Sequence, residues 1–129
     1  MPQFAVGFVG LGKMGAPMAA RLGAAGCPVT FCDADHDRAR RVAERHGGRV
    51  AQSLTDVGRD VDVIITMLPD GEVVRRVALG IPEAAGDRLL ASPRRGAVLI
   101  DMSSSSPTGT RALGRTLAAH GIDMLDAPR

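Results

Sequence analysis

The run Phe4-Ala5-Val6-Gly7-Phe8-Val9-Gly10-Leu11-Gly12-Lys13-Met14-Gly15 decides the fold: a short apolar stretch enters a G-x-G-x-x-G loop, and an amphipathic pattern follows. Each glycine of the loop answers a separate geometric demand. Gly10 permits a tight strand-to-helix turn, Gly12 lets the backbone approach a pyrophosphate with no Cβ in the way, and Gly15 allows close packing of helix on strand. Met14, Met18 and Leu22 recur every four residues, forming one apolar stripe of a helix whose first amide dipoles face the phosphates. Pro17 fits that helix only within its first turn, which sets the start near Met14. The stretch therefore predicts a strand, a dinucleotide-binding turn and a helix.

Working outward, apolar runs and helical patterns keep alternating. Phe4 to Val9 reads as the first strand, Pro28 to Cys32 as the second, and Arg49 to Ala51 as a short third after a helix from about Asp35 to His46. Asp62-Val63-Ile64-Ile65-Thr66-Met67 is nearly continuous β-branched apolar sequence, the signature of a strand buried on both faces near the sheet centre. Ala97 to Ile100 and Ile122 to Leu125 supply the fifth and sixth strands, the latter after a helix beginning near Pro107. Gly71 to Leu79 reads as helix, and Gly80 to Gly96, with three glycines and two prolines, as loop with at most a short helix. Strands separated by helical segments predict an α/β Rossmann fold, a doubly wound parallel sheet of about six strands in the order 3-2-1-4-5-6.

Composition excludes several classes. The 129 residues, 45% hydrophobic and 23% charged, suit one soluble globular domain spanning 1–129. A net charge of +2 with arginines spread along the chain argues against a nucleic-acid partner, and the Arg38, Arg40, Arg41 cluster reads as an exposed helix face. With three phenylalanines and no Trp or Tyr there is no stacking platform for single strands, and the core is expected to be Val, Leu, Ile, Ala and Met. No apolar run approaches the roughly 18 residues of a membrane span, and no signal peptide precedes the first strand, so a cytoplasmic protein is expected. Cys27 and Cys32 read as small buried hydrophobes, and His36, His46 and His120 share no ligand spacing with them, so no metal site is expected.

In a sheet of this kind ligands lie beyond the carboxyl ends of the strands, and the unusual residues collect there. Asp33 follows the second strand, 18 residues past Gly15, where a carboxylate accepts from adenosine ribose hydroxyls and repels a 2′-phosphate. That favours NAD over NADP, although Arg38 or Arg40 could reach such a phosphate from the next turn. Asp33 could instead cap the following helix, a task for which Asp35 is better placed. Met67-Leu68-Pro69-Asp70 ends the fourth strand and Asp126-Ala127-Pro128 the sixth. Ser106 before Pro107 is an N-cap pattern, whereas Ser103 and Ser104 at the end of the fifth strand can bind a substrate carboxylate or the nicotinamide amide.

Four ordered motifs, Gly7 to Ala19, Thr66-Met67-Leu68-Pro69, Ile100-Asp101-Met102-Ser103-Ser104 and Leu125-Asp126-Ala127-Pro128, resemble the β-hydroxyacid dehydrogenases. That family includes 3-hydroxyisobutyrate dehydrogenase and 2-hydroxy-3-oxopropionate reductase and carries a 6-phosphogluconate dehydrogenase-like NAD-binding domain. The resemblance runs over the whole chain. It implies that Leu11, Gly12, Lys13, Met14 and Gly15 hold the pyrophosphate and that Met67, Leu68 and Pro69 border the adenosine. Ser103 and Asp126 are then expected toward the substrate, a small hydroxyacid, and Ser104 toward the cofactor's nicotinamide end.

The chain also departs from that family's pattern. Arg21 stands where an Asn is usual, the segment around Pro82 to Pro93 is longer than its counterpart, and the sequence stops at Arg129 before the expected Val-Ser-Gly-Gly segment. The family's catalytic lysine lies in a later helical domain, expected to be absent here, and the lone lysine, Lys13, sits inside the phosphate loop. The expectation is a chain with no catalytic residue, which alone binds dinucleotide weakly or not at all and turns over nothing. Apolar surface normally covered by the helical domain should make it sticky or a homo-oligomer. A dinucleotide-sensing module and an inactive truncated remnant remain the alternatives.

Overall fold

Strands that return in one direction after each helix must pair in parallel. The computed structural model describes residues 4–11, 15–59, 61–68, 71–79, 89, 97–102, 107–119 and 121–126. Strands β1 (Val6–Val9), β2 (Val29–Cys32), β3 (Arg49–Val50), β4 (Val63–Thr66), β5 (Val98–Asp101) and β6 (Asp123–Asp126) form one sheet. Every pairing is parallel and the order is β3-β2-β1-β4-β5-β6, the order expected from the sequence. The connecting helices are α1 (Gly15–Ala24), α2 (His36–His46), α3 (Leu54–Arg59), α4 (Gly71–Leu79) and α5 (Pro107–Ala119).

Alternation along the central strands splits the core into two layers. Phe8 and Ile65 face a cluster completed by Val6, Val29, Phe31 and Met67 with Ala19 of α1 and Ala39 and Val42 of α2. Val9 and Ile64 face the other side, against Val57 of α3, Val74 and Ala78 of α4, and Leu113 and Leu117 of α5. Met18 and Leu22 of the expected apolar stripe do pack on the first cluster. All four residues of β1 are buried, as a strand covered on both faces requires.

The structure corrects the expected core in two respects. Phe8 and Phe31 are its largest fully buried side chains, so aromatic rings, not aliphatic residues alone, anchor the α1 and α2 side. Burying each ring is worth roughly 1.5–3 kcal/mol. Cys27 and Cys32 form no disulfide and are half-buried, packed against the edges of the two clusters rather than fully buried within them, because one precedes β2 and the other closes it at the sheet's rim.

Boundaries shift by a residue or two. β1 starts at Val6, leaving Phe4 57% exposed, and β5 extends to Asp101. Helix α3 has no counterpart in the sequence reading. Its signal is Ser53-Leu54-Thr55-Asp56, in which the Ser53 hydroxyl accepts from the Asp56 amide at 3.1 Å. Helix α2 begins as expected: Asp35 is its N-cap, its Oδ1 accepting from the Asp37 and Arg38 amides at 3.1 and 3.2 Å, a cap worth about 1 kcal/mol. Helix α1 begins at Gly15, so Pro17 falls in its first turn, where amides lack intrahelical acceptors. Of the segment 80–96 only Leu89 is described, buried against the core.

Candidate functional site

Register places the strand ends in one row. Cys32, Val9, Thr66, Asp101 and Asp126 are consecutive partners across β2, β1, β4, β5 and β6. The ladder continues one step past the strands, with the amides of Gly10, Met67 and Met102 donating to the carbonyls of Cys32, Val9 and Thr66 at 3.0, 2.9 and 2.8 Å. The rim at which the glycine loop begins is therefore as ordered as the sheet beneath it.

Gly10 sits at φ +93°, a conformation that L side chains rarely adopt. A Cβ added there would lie 2.2 Å from the Met67 carbonyl oxygen. That close approach packs the first loop residue against the end of β4, and the tight turn it makes out of β1 fits the start of a dinucleotide-binding loop. Met67 itself is buried in the Phe8 cluster and meets the loop through its carbonyl, while Leu68 is half-buried against the opposite layer.

Asp33, directly after β2, turns toward the loop. Its Oδ2 accepts from the Leu11 amide at 2.7 Å and its Oδ1 from the Asp35 amide at 2.9 Å. The Arg38 guanidinium approaches the same Oδ2 to 3.8 Å from the first turn of α2. Arg40 instead pairs with Asp37 on the exposed side, so of these two arginines Arg38 is the one that faces Asp33. Sequence reasoning identified Asp33 but missed its bond to Leu11, which links residues just past the ends of two different strands and depends on the Val9 to Cys32 register.

A second polar pair lies farther along the rim. The Thr66 hydroxyl donates to Asp101 Oδ1 at 3.1 Å, joining β4 to β5 in a fully buried position. Two polar side chains within otherwise apolar strands were the available signal. Gly15 opens α1 and Asp126 ends β6. Gly12, Lys13, Met14, Pro69, Ser103 and Ser104 lie outside the described residues, as does the side chain of Asp126. Among the described residues no helix is long and apolar enough to cross a membrane.

Known proteins share this sequence and arrangement. The family profile described as the NAD binding domain of 6-phosphogluconate dehydrogenase matches residues 5–128. A protein of Mycobacterium tuberculosis named as a probable 3-hydroxyisobutyrate dehydrogenase is 40% identical over 123 residues, covering 95% of this chain and 39% of its own length. The solved structure of M. tuberculosis 3-hydroxyisobutyrate dehydrogenase with L-serine superimposes with a TM-score of 0.84 at 38% identity, over 98% of this chain and 40% of that one. The structure of Psf3 in complex with NADP+ and 2-OPP gives a TM-score of 0.81 at 28% identity, over 93% and 40% of the two chains. The chain thus spans about two fifths of the length of the relatives it matches. With its profile match, parallel sheet and glycine turn in agreement, the chain belongs to the family of NAD-binding domains of 6-phosphogluconate dehydrogenase.

Proposed function

We propose that this chain is the dinucleotide-binding part of an oxidoreductase acting on a small β-hydroxyacid of the 3-hydroxyisobutyrate or 2-hydroxy-3-oxopropionate type. The observation that carries this reading is the junction at Gly10 and Leu11, where a turn with no room for a Cβ is tied to the ends of β2 and β4. The names of the relatives supply the substrate class. A bound nicotinamide supplies the hydride chemistry, and the residues of this chain bind and orient. Gly10 to Gly15 take the pyrophosphate, Asp33 the adenosine ribose, and Met67, Leu68 and Pro69 the adenosine flank. Ser103 and Asp126 stand toward the substrate and Ser104 toward the nicotinamide.

NAD is the preferred cofactor in this proposal, because a carboxylate at the end of β2 repels a 2′-phosphate. Each Asp33 oxygen accepts one backbone amide, which leaves lone pairs for ribose hydroxyls. The preference is one of degree: Arg38 stands beside Asp33, and the related Psf3 binds NADP+. No catalytic residue is assigned within 1–129, since Lys13 belongs to the phosphate loop and the matched relatives are more than twice as long as the matched region. The chain by itself is proposed to bind dinucleotide weakly and to turn over nothing.

Titration calorimetry of the 129-residue chain with NADH and NADPH, alongside a dehydrogenase assay with 3-hydroxyisobutyrate, tests both parts. Weak but saturable binding, tighter for NADH, and no turnover are expected. Binding of neither nucleotide overturns the assignment, and turnover overturns the division of labour.

A further inference from the structure

Ribose recognition asks of Asp33 only spare lone pairs, yet its side chain is only 10% exposed and already engaged within the protein. Each of its oxygens accepts a backbone amide from a different element, Leu11 from the glycine loop and Asp35 from the start of α2. Leu11 is held a second time by its own side chain, fully buried in the cluster of Phe8, Phe31 and Met67. Gly10 before it donates to the Cys32 carbonyl. Two consecutive residues of the β2 end therefore fix the first two residues of the loop, and the same carboxylate fixes the residue that caps α2. Hydrogen bonds to a carboxylate are roughly twice as strong as neutral ones. Residues already held in place lose less freedom when a ligand arrives.

We propose that Asp33 is a positioning residue that latches Leu11, the second residue of the glycine loop, to the start of α2, so that the entry to the loop is set before any ligand binds. The inference rests on the dinucleotide reading above and adds a role that ribose recognition does not require. A side chain acting only on ribose hydroxyls and by repelling the 2′-phosphate would, once neutralised, lose NADH and keep or gain NADPH. A latch loses both, because both nucleotides need the same pyrophosphate turn.

The test is Asp33→Asn in the 129-residue chain, which turns an NH2 donor toward a backbone N–H donor. Titration calorimetry is expected to show at least a tenfold loss of affinity for NADH and for NADPH alike. Retained or improved NADPH affinity overturns the latch and leaves the dinucleotide reading intact, whereas an unsubstituted chain that binds neither nucleotide overturns both. Should the variant fail to fold, NMR of the unsubstituted, ligand-free chain decides. A scalar coupling across the hydrogen bond, between the Leu11 amide nitrogen and the Asp33 carboxyl carbon, is expected, and its absence overturns the latch.

Discussion

The Thr66 hydroxyl donates to Asp101 Oδ1 across 3.1 Å, joining β4 to β5 at the rim that carries the glycine turn. Both side chains are shut off from water, so each depends on protein partners to replace those it leaves behind. Thr66→Val keeps the shape and removes the donor. The expected loss is roughly 1–3 kcal/mol, the range for depriving a buried polar group of a partner. Urea unfolding measures it, and an unchanged midpoint would show that the pair contributes nothing.

Gly10→Ala combines two penalties. The backbone would hold alanine at a positive φ, which costs on the order of 1–3 kcal/mol, and the new methyl would meet the Met67 carbonyl at 2.2 Å. Relief requires moving the end of β1 away from that of β4. A lower melting temperature and loss of NADH binding are expected together, and a variant that melts normally and binds NADH would remove Gly10 from the site.

Gly114→Ala should act in the opposite direction. Gly114 lies inside α5, and a Cβ there would meet only the Met124 sulfur, at an ordinary 3.9 Å. Alanine restricts the unfolded chain and adds harmless contact, a gain of about 0.4–1 kcal/mol. Thermal unfolding checks the sign; a destabilised variant would mean that α5 packs more tightly on β6 than this distance allows.

Arg38→Ala addresses cofactor choice. A partly exposed guanidinium in contact with a 2′-phosphate is worth up to about 1 kcal/mol, or roughly fivefold in affinity. The variant is expected to weaken NADPH by about that factor while NADH changes less than twofold. Equal losses for both nucleotides would assign Arg38 to steadying Asp33 instead of discriminating cofactors.

The legible parts of this fold were those set by local pattern. Apolar runs rich in branched side chains marked β4 and β5, and Pro107 marked the start of α5, because strand burial and the place of proline in a helix depend on neighbours in sequence. The glycine spacing marked the tight turn out of β1 for the same reason. Helix α3 escaped notice because six residues are too few for a helical period to stand out, and only its Ser53 to Asp56 cap marks it. The Leu11 to Asp33 bond was illegible for a different reason. It exists only once β1 and β2 align Val9 with Cys32, and neither residue type announces that partner.

The position of β1 has a consequence for how the molecule is made. Val6 pairs with Val29 on one side and with Val63 on the other, so β1 is flanked by strands that leave the ribosome after it. Until Val63 to Thr66 are out, one edge of a wholly apolar strand stays open to wrong partners. Loop closure over that separation delays its pairing. The glycine turn, translated ahead of both, can be fixed only after Asp33 and Met67 have arrived, so a nascent chain halted before β4 would display its motif yet lack the shape that gives the motif meaning.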